Sequence, residues 1–383
     1  MTSSHPVRSG FGVRAFLRRS APMLMATAVL LTTGHSIASA SDPRPKPRNG
    51  TPVAAPAGDV PLGDAPTSFN RPFFAGVYLG DSDSRTERID GALDRFSRLV
   101  GKRPALVKTF NRLDDDFSPN GWSGQLVRRI AGAGSTSFIA LDLHWSGAPR
   151  GSLLDAINSG RADAALVRTA RQMAALRTTI LIEPGWEMNG RWNNYAWQGV
   201  ANGNAAAPAK YRSAFQRMVS IFRREGARNV KWVFAPNVGN AFTLSATGPS
   251  HWNWYGNYYP GDEYVDYLGP HGYNGSTVWG GSYQDFGTLF DGRDADHILS
   301  DLERRYPSKP IIIGEYASDE VRGRDKGRWI ADAYTMMRRH RNVVGAVWFN
   351  MRKEADWRID SSRSALEAYK TAMRDPSIRS DFR

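Results

Sequence analysis

The feature that most restricts this chain is an alternation beginning at Phe73: eight short apolar runs, separated by longer amphipathic stretches. The runs are FFAGVYLG (73–80), ALVKTFN (105–111), SFIALDLHW (137–145), TTILIEPGW (178–186), VKWVFAPN (230–237), YLGPHGYN (267–274), KPIIIGEYA (309–317) and VVGAVWFN (343–350). Helical stretches lie between them, as at 208–225, 293–305, 326–340 and 363–374. Near-continuous apolar runs suit strands covered on both faces, so the pattern predicts a parallel sheet beneath helices. Eight such units predict closure into a (β/α)8 barrel, an α/β fold. An open doubly wound sheet would want a glycine-rich phosphate turn after its first strand, and GVYLGDSDS is not one.

In a closed barrel the C-terminal ends of the strands converge on one face, where chemistry is done. Here those ends carry His144, Trp145, Glu187, Asn237, Tyr273, Asn274, Glu315 and Trp348. A carboxylate at the end of an apolar strand is costly unless it is paired or used. Glu187 and Glu315 stand on the fourth and seventh strands, each beside an aromatic residue. Cleavage of a glycosidic bond needs such a pair, one to protonate the leaving oxygen and one to face the anomeric carbon. Glu183, four residues before Glu187, is the weaker candidate, expected to point into the barrel or to pair with a cation.

Other chemistries find little support. Seven histidines occur without HExxH or clustered spacing, so no metal site is expected. No GxSxG elbow and no Walker-type glycine loop is present. The absence of cysteine excludes disulfides, thiolate metal sites and a cysteine nucleophile. No cofactor is expected. The net charge of +13 is dispersed among acids without a run of five like charges, which argues against nucleic acid as a partner. Twelve Trp and fourteen Tyr suit either a large core or stacking against sugar rings.

The N-terminal forty residues read as an export signal. Arg8, Arg14, Arg18 and Arg19 precede the apolar run Ala21–Thr33, and Ala38-Ser39-Ala40 supplies a small-residue cleavage site. That run is shorter than the ~20 residues that span a bilayer. Sec or twin-arginine export, and cleavage or retention as an anchor, stay open. Residues 41–68 hold seven prolines and read as an extended linker, so the catalytic domain is expected over 69–383. The expected product is a secreted or periplasmic monomer acting on a polysaccharide, with no membrane span once the signal is gone.

The chain from about 73 to 360 resembles glycoside hydrolase family 26, whose best-known members are endo-β-1,4-mannanases. The resemblance is carried by EMNGRW (187–192), WVFAPN (232–237), YYPGDEYVDYLGPHGYN (258–274) and GEYAS (314–318), with INSGRADAALVRTARQMAAL (157–176) before the fourth strand. It implies an endo-β-1,4-mannanase as the leading reading, with a retaining mechanism in which Glu187 is the acid/base and Glu315 the nucleophile, their carboxyl groups about 5–5.5 Å apart. It implies that Tyr273 hydrogen-bonds the nucleophile and that Trp348 forms the aromatic floor beneath the sugar. His144 and Trp145 would line the same subsite, with Asn189, Trp192 and Asn237 as rim contacts. Two positions depart from the family pattern. Trp186 stands where mannanases carry His before the acid/base, and His271 where they tend to have Asp before GYN. The first touches the hydroxyls that distinguish mannose from glucose, so hydrolysis of another β-glycan, β-xylan or exopolysaccharide is the alternative. A non-catalytic polysaccharide-binding barrel is the third.

Overall fold

In the computed structural model, residues 68–86, 88–149, 152–190, 205–238, 251–279, 282–292 and 297–382 are described. The expected signal (1–40), all but the last residue of the expected linker (41–68), and Trp192 lie outside them.

All eight apolar runs form strands: β1 (Phe73–Tyr78), β2 (Leu106–Arg112), β3 (Thr136–Asp142), β4 (Ile180–Pro184), β5 (Val230–Phe234), β6 (Tyr267–Leu268) with β7 (His271–Asn274), β8 (Ile311–Ser318) and β9 (Val343–Phe349). Each pairs in parallel with its neighbour, and β9 returns to β1 over Phe74–Tyr78, closing the barrel. β6 and β7 share the sixth position, interrupted at Gly269-Pro270, where proline has no N–H for the ladder. A short β10 (Ile378–Arg379), which periodicity did not anticipate, pairs with the start of β1.

The helices cover this cylinder. Ala207–Arg224, with Pro208 in its first turn, buries Tyr211, Phe215, Met218 and Phe222 along one stripe. Lys326–Arg339 and Arg363–Met373 match their expected spans to within a residue. Within 293–305 the described helix is Ile298–Arg305, and a separate helix, Phe286–Asp291, precedes it.

Two layers inside the barrel position the site. Leu106, Phe138, Leu181, Val233, Ile312 and Val347 pack as one apolar plug. Side chains two residues apart share a strand face. The next inward positions are therefore Lys108 on β2, Glu183 on β4 and Gly314 on β8. A charged layer thus rests on a dry plug.

Candidate active site

Lys108, Glu183 and His271 are wholly buried, which would be prohibitive for unpaired charges. They satisfy one another. The Lys108 ammonium bonds Glu183, lies 2.7 Å from Glu315 Oε1 and donates to the Gly314 carbonyl at 3.1 Å. His271 Nε2 lies 3.0 Å from Glu183 Oε2. Gly314 makes room for this contact: a Cβ there would stand 2.5 Å from His271 Nε2 and 2.8 Å from Glu183 Oε2.

Glu315 reaches the same place through an irregularity in β8. Ile313 pairs with Ala346 but Tyr316 pairs with Trp348, so one extra residue is taken up between them. Such a bulge re-aims a side chain. Tyr316 can then face the helices, where it packs on Trp329, while Glu315 joins the interior. The Tyr273 hydroxyl donates to Glu315 Oε2. Burial, then the Glu315 carboxylate, push that hydroxyl well above the usual tyrosine range, so it keeps its proton. Glu315 Oε1 has the Lys108 ion pair and accepts no hydrogen bond among the described residues.

Glu187 follows a reversal of the chain beyond β4. Gly185 (φ 57°) and Glu187 (φ 54°) are both left-handed. Glycine adopts that conformation freely, whereas for glutamate it stores strain of about 1–3 kcal/mol. Two backbone bonds hold Glu187 there: its N–H to Ala235 O at 2.7 Å, and Gly190 N–H to its carbonyl at 2.8 Å. The Glu187 carboxylate accepts from Asn237 Nδ2 at 3.2 Å and lies 3.3 Å from His271 Nδ1, both at Oε1. That same Nδ1 is 3.7 Å from Glu315 Oε1. Legs of 3.3 and 3.7 Å bound the separation of those two oxygens at about 7 Å.

Burial alone would push His271 down. The Glu183 carboxylate, with Glu315 behind it and against the pull of Lys108, raises it to about 9, so the ring is an imidazolium at neutral pH. Two cations, Lys108 and His271, therefore face Glu183, Glu187 and Glu315. Among the described residues, the charges of these five groups cancel when one carboxyl group carries a proton. Glu183, His271 and Glu315 also have donor atoms within 4.8 Å of one another, a spacing that suits a metal ion. The Lys108 ammonium already contacts both of those glutamates.

Above the cluster opens a cleft of about 520 Å³. Glu187, Asn237, Tyr273 and Glu315 lie at its polar end, and Phe110, Trp186, Trp279, Phe349 and Trp357 form aromatic walls. Asp81, which accepts from the Tyr78 hydroxyl, lines it with Lys353 and Glu354.

Of the residues singled out from sequence, Glu187, Glu315, Tyr273, Asn237 and Trp186 converge on this cleft. Trp348, Trp145, His144 and Asn189 sit elsewhere. Trp348, anticipated as the floor, is wholly buried outside the barrel wall: its neighbour Val347 faces in, so Trp348 faces the helices, against Tyr316 and Trp329. Its indole N–H donates to the Trp357 carbonyl at 2.9 Å, and Trp357 lines the cleft. Trp145 is packed in the core, and His144 pairs with Asp142 at 2.6 Å. Neither is among the cleft-lining residues. Asn189 is an internal brace rather than a rim contact: its amide bonds both the N–H and the carbonyl of Asn237 at 2.8 Å. Sequence reasoning passed over Lys108, although a lysine inside ALVKTFN is itself the signal of a buried partner. It weighed His271 only as a departure from the family pattern. Trp357 comes from a loop with no periodic signal.

Residues 156–300 match the family model described as Glycosyl hydrolase family 26. Endoglucanase H of Acetivibrio thermocellus is 37% identical over 309 residues, a stretch covering 80% of this chain and 31% of that protein. The chain therefore spans about a third of that relative's length. Two solved structures share the fold: a mannanase of Bacillus subtilis (17% identity, TM-score 0.53, 82% of this chain and 88% of that one) and a modular endo-β-1,4-mannanase of Cellulomonas fimi (17%, 0.54, 80% and 72%). The closed barrel, the motifs around Glu187 and Glu315, and these likenesses agree: the chain resembles glycoside hydrolase family 26, whose model matches residues 156–300.

Proposed function

We propose that the chain is a retaining endo-acting hydrolase of a β-glucan, with Glu187 as acid/base and Glu315 as nucleophile. The observation that carries this reading is the approach of both carboxylates to a single nitrogen, His271 Nδ1, at the head of an aromatic cleft. Glu187 would protonate the leaving oxygen while Glu315 attacks C1. Glu187 would then deprotonate the water that releases the glycosyl-enzyme. Tyr273 would hold Glu315 in line, and Trp186, Phe349 and Trp357 would stack on the sugars.

Glucan is favoured over mannan by two observations. The relative at 37% identity is named an endoglucanase, whereas the mannanase likenesses are at 17% and bear on the fold alone. At the position where a mannanase carries histidine, Trp186 packs edge-on to Phe110, giving that wall an apolar surface. Mannan is the second reading, supported by the family pattern of 258–274 and 314–318. The test is reducing-end release from mixed-linkage β-glucan, carboxymethylcellulose, glucomannan, β-mannan and β-xylan, beside Glu187→Ala and Glu315→Ala. Removing a general acid is worth about 10²–10⁴ in rate, so either change should nearly silence release. Binding without release on every polymer would favour a carbohydrate receptor. For the N-terminal region we propose export through residues 1–40, with cleavage before the proline-rich stretch 41–68. N-terminal sequencing of the exported protein would find a start near Ser41, and an intact Met1 would refute cleavage.

A further inference from the structure

We propose that His271 is the positive charge that couples the two catalytic carboxylates, shared between them at rest and drawn to Glu187 alone as Glu315 is consumed. The inference rests on the retaining reading above and adds a positioning residue to it.

The imidazole has a carboxylate at each end. Nε2 faces Glu183 at 3.0 Å, while Nδ1 faces Glu187 at 3.3 Å and Glu315 at 3.7 Å. A neutral ring donates from one nitrogen only, which would leave a lone pair against a carboxylate at the other. The groups around it are Lys108 from β2, 3.5 Å from Nε2, Glu183 from β4, Glu187 beyond β4, and Glu315 from β8. Tyr273, two residues along β7, acts on it only through Glu315. Lys108 serves Glu183 and Glu315. His271 Nδ1 faces both members of the catalytic pair.

Charge bookkeeping across the reaction shows the use of this. In the first step Glu187 passes its proton to the glycosidic oxygen, whose bond to C1 breaks with its electron pair. A Glu315 oxygen forms the new bond to C1. Glu315 becomes a neutral ester and Glu187 a carboxylate, so one negative charge crosses from one side of Nδ1 to the other while the cluster total is unchanged. In the second step water gives its proton to Glu187 and its oxygen to C1, and Glu315 regains its charge. The single Nδ1–H lies within 4 Å of both oxygens and can turn wholly to Glu187 once Glu315 is a neutral ester. It thereby holds Glu187 ionised after the ester forms, ready to take the proton from water. Asn237 and His271 both donate to Oε1, which directs the acidic proton to Oε2.

The test is a ¹³C NMR titration of the Glu187 carboxyl in the free enzyme, with Glu315→Gln standing for the neutral ester. It is run with and without His271→Asn. Loss of the Glu315 charge should lower the Glu187 midpoint in both backgrounds. With His271 present it should fall further by about one pH unit, the size of effect a charge at this range exerts. Equal falls in the two backgrounds would overturn the coupling. In turnover, His271→Asn and His271→Gln should both move the two limbs of the kcat/KM–pH profile upward. A reduced rate with unmoved limbs, in variants that melt like the parent, would make His271 merely structural. The titration needs no turnover, so a chain inert toward every glycan would sink the hydrolase reading while the coupling was still decided.

Discussion

Replacing Lys108 by Met isolates what the buried charge contributes, because methionine keeps most of the stem and deletes only the ammonium. The side chain is wholly buried, with Glu183 in contact, Glu315 Oε1 at 2.7 Å, the Gly314 carbonyl at 3.1 Å and the Phe138 ring centroid at 5.1 Å. Little packing is lost, whereas two carboxylates are left facing one cation, His271. Breaking a buried pair by removing one partner costs about 3–5 kcal/mol. At about 2 °C per kcal/mol for a domain of this size, Tm should fall by about 6–10 °C. Calorimetry at pH 7 measures this directly. The double change Lys108→Met with Glu183→Gln removes one of the stranded charges and should recover more than half of the loss. A drop under about 2 °C for the single variant, or a double variant no better than the single, would refute the view that this layer is held by mutual charge.

Three further outcomes are expected. Gly314→Ala forces a methyl group against His271 and Glu183, so Tm should fall by about 2–6 °C, the cost of overpacking a tight core, and kcat should fall with it. His271, raised from 6.5 to about 9, contributes stability that is fully present below pH 6.5 and is lost as pH rises through 9. The melting difference between the parent and His271→Asn should therefore shrink across that window, and a difference that grew would reverse the sign. Trp357→Ala, which strips a cleft wall, should raise KM about 3- to 10-fold. Trp348→Phe, behind it in the core, should lower Tm with little change in KM.

The barrel was legible because strands covered on both faces must be apolar throughout, and each of the eight runs became a strand. Gly269-Pro270 divided one of them through proline's missing donor, and β10 was too short to carry a period. The ends bearing Glu187 and Glu315 were legible for a related reason, since carboxylates there oppose the apolar pattern. Lys108 opposes it equally, but its partners lie 75 and 207 positions along the chain, and only closure of the barrel joins them. The aim of Glu315 depends on a bulge, and that of Glu187 on a left-handed glutamate, neither of which periodicity encodes. Trp348 occupied a promising place at the end of β9, yet strict alternation with the inward Val347 turns it toward the helices. The cleft wall falls instead to Trp357 on the following loop, where no period operates.

The retaining pair is tested most directly by the configuration of the first product. Proton NMR of nascent hydrolysate would be followed on the β-glycan that the enzyme turns over fastest, before mutarotation sets in. Glu187 and Glu315 acting through a glycosyl-enzyme predict that the β-anomer accumulates first and relaxes slowly to the mixture. The α-anomer appearing first would show a single displacement by water and contradict the assignment of Glu315 as nucleophile.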